Sequence, residues 1–171
     1  MHAERMAWFD RQFQFALPAK MFPFYLERLR GTYPRIAYYV QGVSEEILSR
    51  KPEGKWSIKE HIGHLAEVDI VSFKRVDEML KDISPLSPAV FEPKDYSIMP
   101  IDEVLTLFRV NRSKNIKQYE ELLPHQILKA SLHPRLKQLM TPVDLAWFDA
   151  EHDDHHLATI HLMLHHEQVF K

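Results

Sequence analysis

The stretch TPVDLAWFDAEHDDHHLATIHLMLHHEQ (residues 141–168) decides how the rest of the chain reads. It opens on a helix-start signal: Thr141 as N-cap, Pro142 at the first helical position, and Asp144 three residues after the cap. Proline is tolerated there because the amide it lacks has no partner inside the helix anyway. No glycine or proline follows, so one helix is expected to about Glu167. The same stretch holds six of the chain's eleven histidines, and a helical wheel separates them. With His152 set at zero and roughly 100° per residue, Leu145, Phe148, His156, Ile160 and Met163 all fall within about 80° of it. His152 and His156 thus sit in the apolar stripe that faces a core. His161 and His165 fall on the opposite face with Asp154, Gln168, Trp147 and Leu157, and read as surface. His155 and His166 lie at the stripe's edge, His155 as a residue of the pocket rim and His166 near the frayed end.

Two imidazoles at i and i+4 on a buried face can converge on one metal ion. Spacing alone is equally consistent with core histidines satisfied by hydrogen bonds. A third ligand on another helix would favour the metal. The segment KWSIKEHIGHLAEVD (55–69) offers one. Ser57 and Glu60 form a capping box at its start, and Ile58, Ile62, Leu65, Phe73, Val76 and Leu80 make its stripe. His64 lies near the stripe's edge, close to Val68 and Val71. His61 is displaced from it and reads as a supporting or surface residue. Three neutral imidazoles leave open positions on a divalent ion, which suits a catalytic rather than a structural site.

Working outward, a long helix is expected from about Met21 to Val43, with Leu26, Leu29, Tyr33, Ile36, Val40 and Val43 inward. Pro34 predicts a kink or restart near Gly31–Thr32. Ser44 caps one or two further turns. A third main helix is expected from about Pro100 to Leu123, with Ile101, Val104, Leu105, Phe108, Ile116 and Tyr119 inward. The four-proline segment ISPLSPAVFEPKDYSIMP (83–100) is expected to wrap over the bundle, and HPRLKQLMTP (133–142) to connect the last two helices with a short extended piece. The fold class is therefore all-α, a four-helix bundle in one domain over residues 1–171, with an N-terminal arm (1–20) and the bundle proper (21–168).

Composition narrows the function. The net charge is −2 and there is no basic excess, so no nucleic-acid partner is expected. No apolar run approaches the roughly 18 residues of a membrane span, and the charged, aromatic N-terminal stretch is unlike a secretory signal, so a cytoplasmic protein with no membrane partner is expected. With no cysteine, metal ligands must be His, Asp or Glu, and any thiol chemistry needs an external thiol.

GKWSIKEHIGHLAEVD followed by HPRLKQLMTPVDLAWFDAEHDDHHLATI resembles the DinB-like, or YfiT-like, superfamily, as does ERLRGTYPRIAYYV in the first helix. The resemblance spans roughly residues 20–168. Its specific parts are the Trp-Ser start with a histidine eight residues after the tryptophan, and the H-x-x-x-H pair. It implies an up-down-down-up four-helix bundle and a divalent metal, zinc or nickel, held by His64, His152 and His156. It also implies a metal-activated low-molecular-weight thiol in an S-transferase, with a small-molecule substrate, and a homodimer in some members. Tyr38, Tyr39 and Trp147 are candidates for a dimer surface. Where many members carry glutamine shortly after the last ligand, this chain has Thr159.

A three-histidine metal can lower the pKa of bound water or of a thiol. The alternatives are thus a metal-dependent hydrolase, or a non-enzymatic metal-binding stress-response protein. Glu67 and Asp153 are the nearest candidates for a base or supporting carboxylate, although Asp153 points well away from the His152 direction. Trp56 reads as a packing anchor. On the third helix, Asn111, Arg112 and Asn115 interrupt a buried face. Either they line a wet pocket in which Arg112 meets an anionic substrate or thiol, or Arg112 pairs with a core carboxylate such as Glu67 or Asp69 and the asparagines bond to backbone.

Overall fold

The computed structural model describes the backbone of residues 6–169 and the side chains of residues 6–165. His166 and Gln168 lie outside the described side chains. The elements are α1 (Phe22–Val40), α2 (Glu45–Ser49), α3 (Ile58–Leu80), α4 (Ile101–Glu120), a two-residue antiparallel pair β1 (Ser131–Leu132) and β2 (Leu139–Met140), and α5 (Pro142–Val169). All three predicted caps are present, the Ser44 hydroxyl accepting from the Ile47 amide at the start of α2. Ser57 accepts from the Glu60 amide while Glu60 accepts from the Ser57 amide. Thr141 and Asp144 do the same reciprocally, and the second Asp144 oxygen accepts from the Leu17 amide, tying the arm to the start of α5.

The helix directions follow from contacts across the bundle. Arg28 meets Glu151, Thr32 meets Asp153 and Tyr39 meets His161, so α1 and α5 run parallel. Asn111 meets Ala66, Asn115 meets Asp69 and Gln118 meets Phe73, so α3 and α4 are also parallel. Between the pairs the sense reverses: Phe22 packs on Tyr119 and Tyr33 on Phe108, while His61 reaches His156 and Ser72 reaches Asp149. This is the up-down-down-up bundle. A parallel α3–α4 pair requires the chain to travel back along α3, which at about 1.5 Å per residue is about 35 Å long. The proline-rich residues 81–100 make that return, anchored by buried Leu86 and Tyr96.

Leu26, Leu29, Ile36 and Val40 are buried as their spacing requires, and so are Ile58, Ile62, Leu65 and Val76. Two expectations change. α1 runs unbroken through Pro34, which is on the exposed side, so the hydrogen bond it cannot make faces water. Phe73 is 44% exposed, because at that level the inner face of α3 is occupied by Asp69 and Ser72, both buried against partners across the bundle. Trp147 is not free surface. The arm covers it, with the Phe13 ring 6.0 Å and the Phe15 ring 6.3 Å away. Tyr38 is 75% exposed, and His161 and His165 are exposed as expected. No described helix is long and apolar enough to cross a membrane.

Candidate metal centre

α3 and α5 are antiparallel neighbours, which brings His64 opposite the His152–His156 pair. The three residues each offer one ligand atom, and these atoms lie within 4.8 Å of one another. The His64 ring centroid is 5.2 Å from that of His152 and 5.1 Å from that of His156. Nε2 of His152 and Nε2 of His156 are 3.2 Å apart. Two nitrogens sharing a tetrahedral ion at zinc–nitrogen bond lengths would be about 3.3–3.4 Å apart, so the pair needs almost no movement to share one. Burial pushes the His64 imidazole down to about 4. His152 and His156 are held well below the ordinary histidine value by burial and then by the neighbouring rings. All three are therefore neutral at pH 7 and carry the lone pair a cation requires.

His61 has a role that its wheel position left open. Its Nδ1 is 2.8 Å from Nδ1 of His156. With the shared proton on His156 Nδ1, this contact leaves His156 Nε2 as the acceptor on the cluster side, the tautomer a metal ligand requires. His152 lacks such support, since its Nδ1 is buried without a hydrogen-bond partner. Glu67 stands beside His64, with Oε2 3.9 Å from Nδ1, while Oε1 accepts from the Tyr96 hydroxyl at 2.8 Å. Tyr96 fits there because residue 63 is glycine: a Cβ on Gly63 would lie 2.3 Å from the Tyr96 ring. Burial and the Glu67 carboxylate together raise the Tyr96 phenol well above its usual value.

Asp153, although next to His152 in sequence, is buried inside the bundle. It accepts from Thr32 and from two nitrogens of Arg112. Arg112, 3% exposed, also donates from Nε to Asp69 and from Nη1 to the Leu29 carbonyl. Of the two readings of this helix face, the geometry is that of a core ion pair, with Asp69 and Asp153 as partners and Glu67 elsewhere. Asn111 donates to the Ala66 carbonyl and Asn115 to Asp69. None of the three lines the cavity at the histidines.

That cavity, about 740 Å³, lies between α3, α5, the crossover and the arm. Its aromatic walls were not legible as such. Trp56 packs on the histidines and not into the core: it is 44% exposed, lies nearly parallel to the His156 ring and is 4.8 Å from the His64 ring. Trp8, from the arm, packs edge-on against His152 at 4.8 Å, and Phe91, from the crossover, against His64 at 4.9 Å. His155 lines the cavity, as its wheel position predicted. Beyond the histidines the lining continues to Ser72, Arg75, His133 and Asp149, none of which the sequence reading singled out. Burial, followed by the nearby Asp69 and Asp153 carboxylates, raises Asp149 to about 7.

Comparison with known proteins agrees with this architecture. A curated protein of Oceanobacillus iheyensis named "Putative metal-dependent hydrolase OB0413" is 24% identical over 149 residues, covering 82% of this chain and 83% of its own. YfiT from Bacillus subtilis, described as a probable metal-dependent hydrolase with an unusual four-helix bundle topology, superposes with a TM-score of 0.80 at 17% identity, over 92% of this chain and 94% of its own. The family model of the DinB superfamily matches residues 28–160, and the chain belongs to that superfamily.

Proposed function

We propose that this protein is a divalent-metal-dependent enzyme whose ion, zinc or nickel, is held by His64, His152 and His156, and that it transfers a small electrophilic substrate onto an external low-molecular-weight thiol. The observation that carries the metal site is the convergence of three neutral imidazoles from two helices, with ligand atoms within 4.8 Å of one another and the His152–His156 pair already at the separation one ion sets. Such an ion supplies Lewis-acid polarisation and lowers the pKa of a thiol or water that binds to it. The chain's own residues contribute the rest. His61 holds the orientation of His156, Glu67 stands behind His64, and the rings of Trp8, Trp56 and Phe91 give the reacting groups an aromatic, largely apolar surround.

The choice of thiol transfer over hydrolysis rests on the carboxylates. Hydrolysis is helped by a general base next to the water. Here Glu67 is engaged by Tyr96 and Asp153 by Arg112, while Asp149, among the described residues the one Asp or Glu that lines the cavity, is hydrogen-bonded to Ser72 and lies toward Arg75. A thiol bound to such an ion would lose its proton outright, whereas bound water would do so only near pH 7, so the thiol has less need of a base. The second reading, a metal-dependent hydrolase, is favoured by the names of both relatives. A panel of electrophiles and esters, assayed with metal-loaded protein with and without added thiols, separates the two. Turnover only with a thiol supports the transferase. Equal turnover without one supports the hydrolase and removes the first reading.

A further inference from the structure

Three turns along α3 from His64, the same face presents Arg75, and between them lie Val68 and Val71. The two Cα atoms are separated by about 16 Å of helix rise. Arg75 is 6% exposed, yet it makes no ion pair within 4.0 Å among the described residues; Asp149 and Glu78 act on it only from farther away. Its Nε is buried without a partner. Nη2 reaches only the Ser87 carbonyl, at 3.4 Å, and Nη1 lies 3.5 Å from Nε2 of His133.

The His133 contact is not a good hydrogen bond. Nδ1 of His133 accepts from two backbone amides, those of Arg135 and Leu136. The ring is neutral, since burial and the neighbouring arginines push it down to about 4. Its proton is therefore on Nε2, and a donor faces a donor. A buried guanidinium and an imidazole N–H meet at the cavity wall with no acceptor between them. Buried donors are rarely left in that condition.

We propose that Arg75 and His133 form an anion subsite of the cavity, and that its ligand is the carboxylate of an amphipathic small molecule. The apolar body of that molecule would lie along Val68, Val71 and Phe148 toward the histidines. A single negative charge suits the site better than a dianion, because the Asp149 carboxyl lines the same end. This names the substrate class for the metal-dependent reaction and rests on that reading for what reacts. Binding of the carboxylate does not depend on it.

The test is calorimetric titration of 4-phenylbutanoate and of its neutral amide into metal-loaded wild type, Arg75→Gln, and the double variant His152→Ala/His156→Ala. The carboxylate is expected to bind at least roughly tenfold more tightly than the amide, and Arg75→Gln to lose about that factor, the scale of a charge-assisted hydrogen bond. The double histidine variant should retain the binding. Equal affinity for acid and amide, or an unchanged Arg75→Gln, overturns the subsite. Binding lost in the double variant but intact in Arg75→Gln assigns the carboxylate to the metal, which overturns the subsite and leaves the proposed metal centre standing. Should Arg75→Gln not fold, the ¹⁵N resonance of Arg75 Nε in wild type decides. A shift with the acid and not the amide supports the proposal, and no shift overturns it.

Discussion

Replacing Arg112 by methionine removes the one cation that two buried carboxylates share. Arg112, Asp69 and Asp153 are 3%, 2% and 1% exposed, and the guanidinium bonds to both acids. Methionine fills much of the volume but leaves Asp69 and Asp153 facing each other with only Asn115 and Thr32 as donors. Breaking a buried pair in this way costs about 3–5 kcal/mol, a large part of the 5–15 kcal/mol typical of a domain. The loss should depend on pH. Burial, together with Asp153, already raises Asp69 to about 6 against the restraint of Arg112. Without the cation the folded state holds protons on these acids to higher pH than the unfolded chain does, so stability falls as pH rises. Urea denaturation followed by tryptophan fluorescence should therefore show a deficit of several kcal/mol at pH 8 that narrows at pH 5. A variant with wild-type stability at both pH values, defective only in binding an anionic substrate, would refute the core assignment of Arg112 and restore it to the pocket.

Three further outcomes follow from the geometry. Gly63→Ala should displace Tyr96 and release Glu67, lowering stability by about 1–3 kcal/mol, measurable by thermal melting. Asp149→Asn should flatten the pH dependence of stability. In wild type the folded protein keeps this proton to about pH 7 while the unfolded chain releases it near 3.8, so stability declines by about 4 kcal/mol as pH rises between those values. Denaturation of metal-free wild type and variant across that window checks it, and parallel curves would contradict it. His61→Ala should weaken metal affinity by about 10–100-fold without altering the fold, read by competition with a chelator.

Much of this architecture is local in origin and could be read locally. The caps at Ser57 and Thr141 depend on residues three apart, and both form as expected. The separation of His152 and His156 from His161 and His165 depends only on helical periodicity, and the exposure of the latter pair agrees with it. What escaped is set by long-range packing. Trp8 belongs to a segment with no period, and the docking of Arg11, Phe13 and Leu17 onto α5 brings its ring to His152. Arg75, His133 and Asp149 come from a helix, a hairpin loop and another helix, so no spacing pattern links them. Arg112 was visible as a polar break in an apolar face. Its partners depended on which helix lay opposite and at what height, and the parallel α3–α4 pairing settles that by placing Asp69 within bonding distance.

In the proposed site His64, His152 and His156 hold one divalent ion. Elemental analysis of protein purified without added metal tests it most directly. Wild type should carry close to one equivalent of zinc or nickel, and His64→Ala, His152→Ala and His156→Ala should each lose it while remaining folded by circular dichroism. Full occupancy in a folded variant lacking all three histidines would contradict the account.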